Sequence, residues 1–110
     1  MRISQWDIVD FSRDPEHQSP KWPAGYWPED EAPPNGAAWD ASVEEFEREL
    51  AAMKRLIAKR STDLFAKIDH PEAQPHHTVA REAMVLSEHN GYHTAEMIVL
   101  RRLLGAWNRS

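Results

Sequence analysis

The sequence predicts an all-α fold, and three observations carry that prediction. Apolar residues recur at the helical period in three separate stretches, no stretch alternates apolar with polar as a half-buried strand would, and all eight prolines fall between those stretches. With 110 residues, 41% apolar and 28% charged, the chain has material for one modest core, so positions 1–110 read as a single domain.

The first helix is expected from Arg2 to about Ser12. Ile3, Trp6, Ile8, Val9 and Phe11 approximate one apolar stripe, and Arg13-Asp14-Pro15 ends it, because proline cannot supply the backbone N–H that a continuing helix needs. No capping residue precedes it. From Asp14 to about Gly36 six prolines stand among Trp22, Tyr26 and Trp27, which argues against a regular element and predicts a long ordered loop. The loop reads either as a lid over a pocket or as a cover packed on the bundle; stiffening prolines and three aromatics favour the cover. A recognition motif for another protein's proline-binding groove would need an exposed extended run, against which the aromatics speak.

The second helix is expected from about Ala38 to Arg60, where Val43, Phe46, Leu50, Met53, Leu56 and Ile57 follow the helical period. Glu44, Glu45 and Glu47 lie in its early turns, where the helix dipole favours acids. A connector holding Pro71 and Pro75 leads to Thr78, an N-cap candidate, and to a third helix from Val79 to about Leu104. Gly105 begins its end, with Arg101 and Arg102 in the last turns.

Charge and composition narrow the function classes. A net charge of −5 argues against binding a nucleic-acid backbone. The single basic cluster, Lys54, Arg55, Lys59 and Arg60, falls at a helix end and reads as a solvated terminus. Without cysteine there is neither a disulfide framework nor a thiolate metal site nor a cysteine nucleophile, so any metal must be held by histidine and carboxylate. No run approaches the ~18 apolar residues of a membrane span, and the amino end lacks a signal-peptide pattern. The expectation is a soluble, cytoplasmic protein with no membrane partner.

His89 and His93 are the residues that point to chemistry. A helix advances about 100° per residue, so side chains four apart share a face one turn apart, and both imidazoles can reach one metal ion. On the third helix Glu82, Val85, Leu86, His89, His93, Glu96, Met97, Leu100 and Leu104 share one broad face, so the pair is expected to point into the bundle. The competing reading is a pair of hydrogen-bonded core histidines. Two metal motifs are excluded: a zincin needs glutamate after the first histidine, where Asn90 stands. A carboxylate-bridged di-iron bundle needs glutamate three residues before each histidine, where Leu86 and Asn90 stand. What remains is a mononuclear site that needs at least one further ligand. Glu96, one turn beyond His93, reads as an orienting carboxylate or an added ligand, with a surface glutamate as the alternative. His17, His70, His76 and His77 are expected to be solvated loop histidines.

The run Glu88-His-Asn-Gly-Tyr-His-Thr-Ala-Glu-Met-Ile-Val-Leu-Arg-Arg-Leu-Leu-Gly-Ala-Trp107 resembles the last helix of the DinB (DinB/YfiT-like) family. Gln5-Trp6-Asp7-Ile8 with Phe11, the loop from Ser19 to Pro28, and Asp63-Leu-Phe65 extend the likeness over nearly the whole chain. The resemblance implies an up-and-down four-helix bundle carrying a divalent metal, zinc or nickel, on three histidines. It also implies relatives that act as metal-dependent transferases, isomerases or hydrolases, some using low-molecular-weight thiols, and a homodimer. His89 and His93 match the two family ligands of the last helix. The third ligand and the family's first helix would precede Met1, and the usual Gly-Gln after the second histidine is Ala95-Glu96. Three helices of an expected four leave an open groove, which a second copy or an upstream segment is expected to fill. The alternative is a non-catalytic helical bundle or dimerisation protein that has lost the metal site.

Overall fold

The structure, a computed structural model, describes residues 1–107. It is all-α: α1 spans Arg2–Arg13, α2 Gly36–Ala58 and α3 Val79–Leu103, with a single 3-10 turn at Ala24–Tyr26. Among the described residues no helix is long and apolar enough to cross a membrane.

Each helix has a local cause. Asn35 begins α2, its side chain accepting from the Ala38 N–H, so the helix starts two residues earlier than its apolar stripe suggests. Thr78 caps α3 as expected, accepting from the Arg81 N–H. At the other end Gly105 takes φ +69°, and the N–H groups of Gly105 and Ala106 return to the carbonyls of Arg102 and Arg101. This is a Schellman closure, in which a left-handed residue lets the chain satisfy the last carbonyls. The basic residues Lys54, Arg55, Lys59 and Arg60 are all exposed at the end of α2.

The contacts fix how the helices run. Arg2 reaches Ser42 and Glu45, Gln5 reaches the Phe46 carbonyl, and Arg13 reaches Glu49, so α1 and α2 are parallel. Asn90 meets Gln5 while Leu86 packs with Val9, so α3 runs antiparallel to both. Val9, Ala52, Met53 and Leu86 form the core between the three helices, with Ile8, Leu56 and Ala83 against it. Burying a side chain the size of valine, leucine or methionine contributes about 1.5–3 kcal/mol, so this core is small. A second cluster, Ile68, Ala73 and Val79 with Phe11, Leu56 and Leu64, lies under the connector 59–78. That connector is stapled by the Ile68 N–H to the His77 carbonyl, the Ala80 N–H to the Leu64 carbonyl, and two N–H bonds to Asp63 Oδ1.

The buried face of α1 differs from the expected stripe. Its fully inward positions are Gln5, Val9 and Ser12, two of them polar, while Ile3 and Trp6 are half-buried on the flank facing α2 and the loop. Gln5 is tolerated there because its amide is bonded on both sides, and Ser12 Oγ bonds back to the Ile8 carbonyl.

The loop 14–35 is fastened to α1 by one carboxylate. Asp7 Oδ1 meets His17 Nε2 at 2.7 Å and Asp7 Oδ2 accepts from the Tyr26 hydroxyl at 2.7 Å. Gly25 is required beyond this, since a Cβ there would stand 2.7 Å from the Pro20 Cβ. The expected aromatic cover is not formed: Tyr26 is half-buried, but Trp22 and Trp27 are 77% and 71% exposed. Among the described residues, of the three rings only the hydroxyl-bearing one has a hydrogen-bond partner on the bundle to hold it down.

Candidate metal centre

His89 and His93 lie on α3 where it passes the first turns of α1. The sequence places them one turn apart, and the structure brings their Nε2 atoms to 3.2 Å with the ring planes 72° apart. At that distance one Nε2–H donates to the other, the hydrogen-bonded pair of the competing reading; two nitrogens about 2.1 Å from one tetrahedral ion would stand about 3.4 Å apart, so the spacing is also compatible with a shared cation. The Nδ1 of His93 meets Glu96 Oε1 at 2.8 Å, the carboxylate–histidine arrangement that fixes a ligating ring. Glu96 therefore holds the back of a ring and does not extend the ligand set.

The surroundings of His89 are incompletely satisfied. Its Nδ1 is buried without a hydrogen-bond partner, and so is Oδ1 of its neighbour Asn90. The pKa of His89 is lowered, first by burial, then by the charge of His93 and by the Met1 amino group, with Asn90 pulling the other way. Burial and cationic neighbours both disfavour an imidazolium, which keeps a lone pair available near neutral pH.

The expected inward face is met over only part of α3. Glu82 and Leu86 are buried, His89 and His93 are half-buried, and Glu96, Met97, Leu100 and Leu104 are exposed, Leu100 by 57% and Leu104 by 79%. The cause is length: α3 runs on past the first turn of α1, so its stripe continues where no helix faces it. The histidine pair thus sits at the rim of the bundle and not in its middle.

The other histidines are placed elsewhere. His17 and His70 are buried, contrary to the solvated reading. His17 is held by Asp7, and His70 Nε2 meets the His17 carbonyl at 2.7 Å while its Nδ1 accepts from the Glu72 N–H. His77 accepts from the Gln74 N–H and packs edge-on to Phe11, leaving His76 exposed. These are structural histidines of the loop and connector at the far end of α1. Among the described residues no group of three or more His, Asp or Glu side chains is arranged to hold a metal ion. The sequence reading missed the polar chain from the Phe46 carbonyl through Gln5 to Asn90, which ends beside His89. Its one sequence signal was a glutamine four residues before Val9 on a short helix.

Compared with known proteins, the chain matches no family model, no curated protein and no solved structure.

Proposed function

We propose that this chain is a DinB-like, cytoplasmic helical bundle that binds a divalent metal, zinc or nickel, through His89 and His93. The observation that carries the reading is the pair of Nε2 atoms 3.2 Å apart with Glu96 on the back of His93. In this reading His89 and His93 are ligands and Glu96 orients His93. The remaining coordination positions belong to water, a low-molecular-weight thiol or a donor from a second copy. A divalent ion bound there supplies Lewis-acid activation, lowering the pKa of a coordinated thiol or water. With two ligands from one helix, affinity is expected to be modest. Elemental analysis of the purified protein beside His89→Ala and His93→Ala tests the reading.

A second reading, a homodimerising bundle without catalysis, is favoured by a separate observation. Met97, Leu100 and Leu104 continue the core stripe of α3 into solvent, and Trp39 and Val43 of α2 are also exposed. Apolar surface of this kind is uncommon on a lone domain. Light scattering distinguishes a dimer from a monomer.

A further inference from the structure

Trp39, Val43, Phe46, Leu50, Met53 and Ile57 follow one another along α2 at alternating intervals of four and three. That spacing is the seam of a coiled coil, which lays an apolar stripe along one side for a facing helix. Met53 is buried in the bundle core, whereas Trp39 is 56%, Val43 37% and Ile57 39% exposed, with Phe46 and Leu50 half-buried between them. α1 meets α2 at Ser42, Glu45 and Glu49, about 100° round the helix from this flank, and so leaves it open. Both α2 and α3 run past the first residue of α1, so the exposed Leu100 and Leu104 lie at the Trp39 end of the bundle. The charges of α2 are divided along its length. Asp40, Glu44, Glu45 and Glu47 occupy the first half without a basic residue; Arg48, Lys54 and Arg55 occupy the second with one acid, Glu49, and Lys59 and Arg60 follow. Asp40, Glu47 and Lys54, spaced by sevens, line the solvent edge of the flank, all exposed and none in an ion pair among the described residues.

We propose that the open flank of α2 docks on the same flank of a second copy, the two helices running antiparallel about a two-fold axis near Glu47 and Arg48. The proposal rests on the homodimer reading and adds the helix, the direction and the register. A two-fold interface must be complementary to itself, and only the antiparallel direction makes this flank so. Parallel copies would set the acidic half of α2 on the acidic half; antiparallel copies set it on the basic half. Charge therefore selects the direction, while the apolar seam supplies the buried area. The seam fixes the register: Trp39 faces Ile57 of the second copy, Phe46 faces its Leu50, and Asp40 stands beside its Lys54. Each of these pairs occurs twice across the axis. A partner of different sequence would not require α2 to match itself end for end, which is why the occupant is a second copy.

The chain holds no cysteine, so single cysteines introduced into the full chain report the contact by oxidation, after light scattering has given the mass. The expected mass is a dimer. A disulfide needs Cα atoms within about 7 Å, and in this register Asp40 and its copy stand about 20 Å apart. Asp40→Cys alone and Lys54→Cys alone are expected to stay uncross-linked, their mixture to give a covalent heterodimer, and Glu47→Cys to cross-link to itself. All three positions are exposed, and circular dichroism checks that the variants fold. Asp40→Lys is expected to weaken dimerisation about tenfold, and Asp40→Lys with Lys54→Asp to restore it. No contact within one chain explains that rescue, since the two residues stand fourteen positions apart on one helix. A dimer in which Asp40→Cys cross-links to itself overturns the antiparallel direction. A dimer with no cross-link at any of the three positions places the contact on another face, overturning the α2 interface while keeping the homodimer. A wild-type monomer at high concentration overturns both.

Discussion

Asn90 donates to Gln5 at 2.7 Å across 85 positions of sequence, and this single bond ties α3 to α1 inside the protein. Gln5 has no exposed surface and also donates to the Phe46 carbonyl, so one side chain links all three helices. A buried polar group that loses its partner costs the desolvation of what it leaves behind. Gln5→Ala is therefore expected to lower stability by about 2–4 kcal/mol, read from the urea midpoint at unchanged slope. Gln5→Met, which keeps the volume but removes both bonds, is expected to fall between Gln5→Ala and the wild type.

Asp7 holds the long loop by two bonds, to His17 and to the Tyr26 hydroxyl. The Tyr26 pKa is pushed up to about 12, first by burial and then by the hydrogen bond and charge of Asp7. Asp7→Asn removes the charge while keeping an acceptor, so the Tyr26 transition is expected to move toward its ordinary value, measured by ultraviolet absorbance during alkaline titration. The sign for stability follows: the folded pKa is above the unfolded one, so this contribution is intact below about pH 10 and is lost as pH rises toward about 12. A transition unchanged by Asp7→Asn would contradict the fastening.

His89 and His77 both have lowered pKa values, His89 chiefly from burial and then from His93, His77 chiefly from burial and then from His76. The unfolded chain therefore binds more protons at these sites, and their contribution to stability is present above about pH 6.5 and declines as pH falls below it. In chelator, the urea midpoint of the wild type is expected to drop between pH 7.5 and 5. His89→Gln is expected to flatten part of that drop.

Leu100 and Leu104 lie on the core stripe of α3 beyond the point where α1 covers it. If a second copy fills that face, light scattering gives a dimer mass, and Leu100→Lys with Leu104→Lys gives a monomer with unchanged helical circular dichroism. A wild-type monomer at high concentration would remove the homodimer from the account.

The helices were legible because their signals are local. The apolar period of α2, the cap at Thr78 and Gly105 at the end of α3 act within a few residues, and the spacing of His89 and His93 carries their common face directly. Gln5 was not legible as a core residue, because what makes its burial tolerable is a carbonyl at Phe46 and an amide at Asn90, both remote in sequence. His17 and His70 were misread for the same reason: a loop histidine is buried or solvated according to what it meets, here Asp7 and a carbonyl. The outward position of Leu100 and Leu104 depends on where α1 stops relative to α3, a matter of register between helices that periodicity does not encode.

Metal content of the purified protein tests the central claim most directly, measured by elemental analysis after exposure to zinc or nickel and removal of unbound ion. The account predicts bound metal in the wild type, loss in both His89→Ala and His93→Ala, retention in His76→Ala, and affinity weakened about 10–100-fold in Glu96→Gln. Wild-type protein that folds normally, binds neither ion and is indistinguishable from His89→Ala and His93→Ala would contradict it.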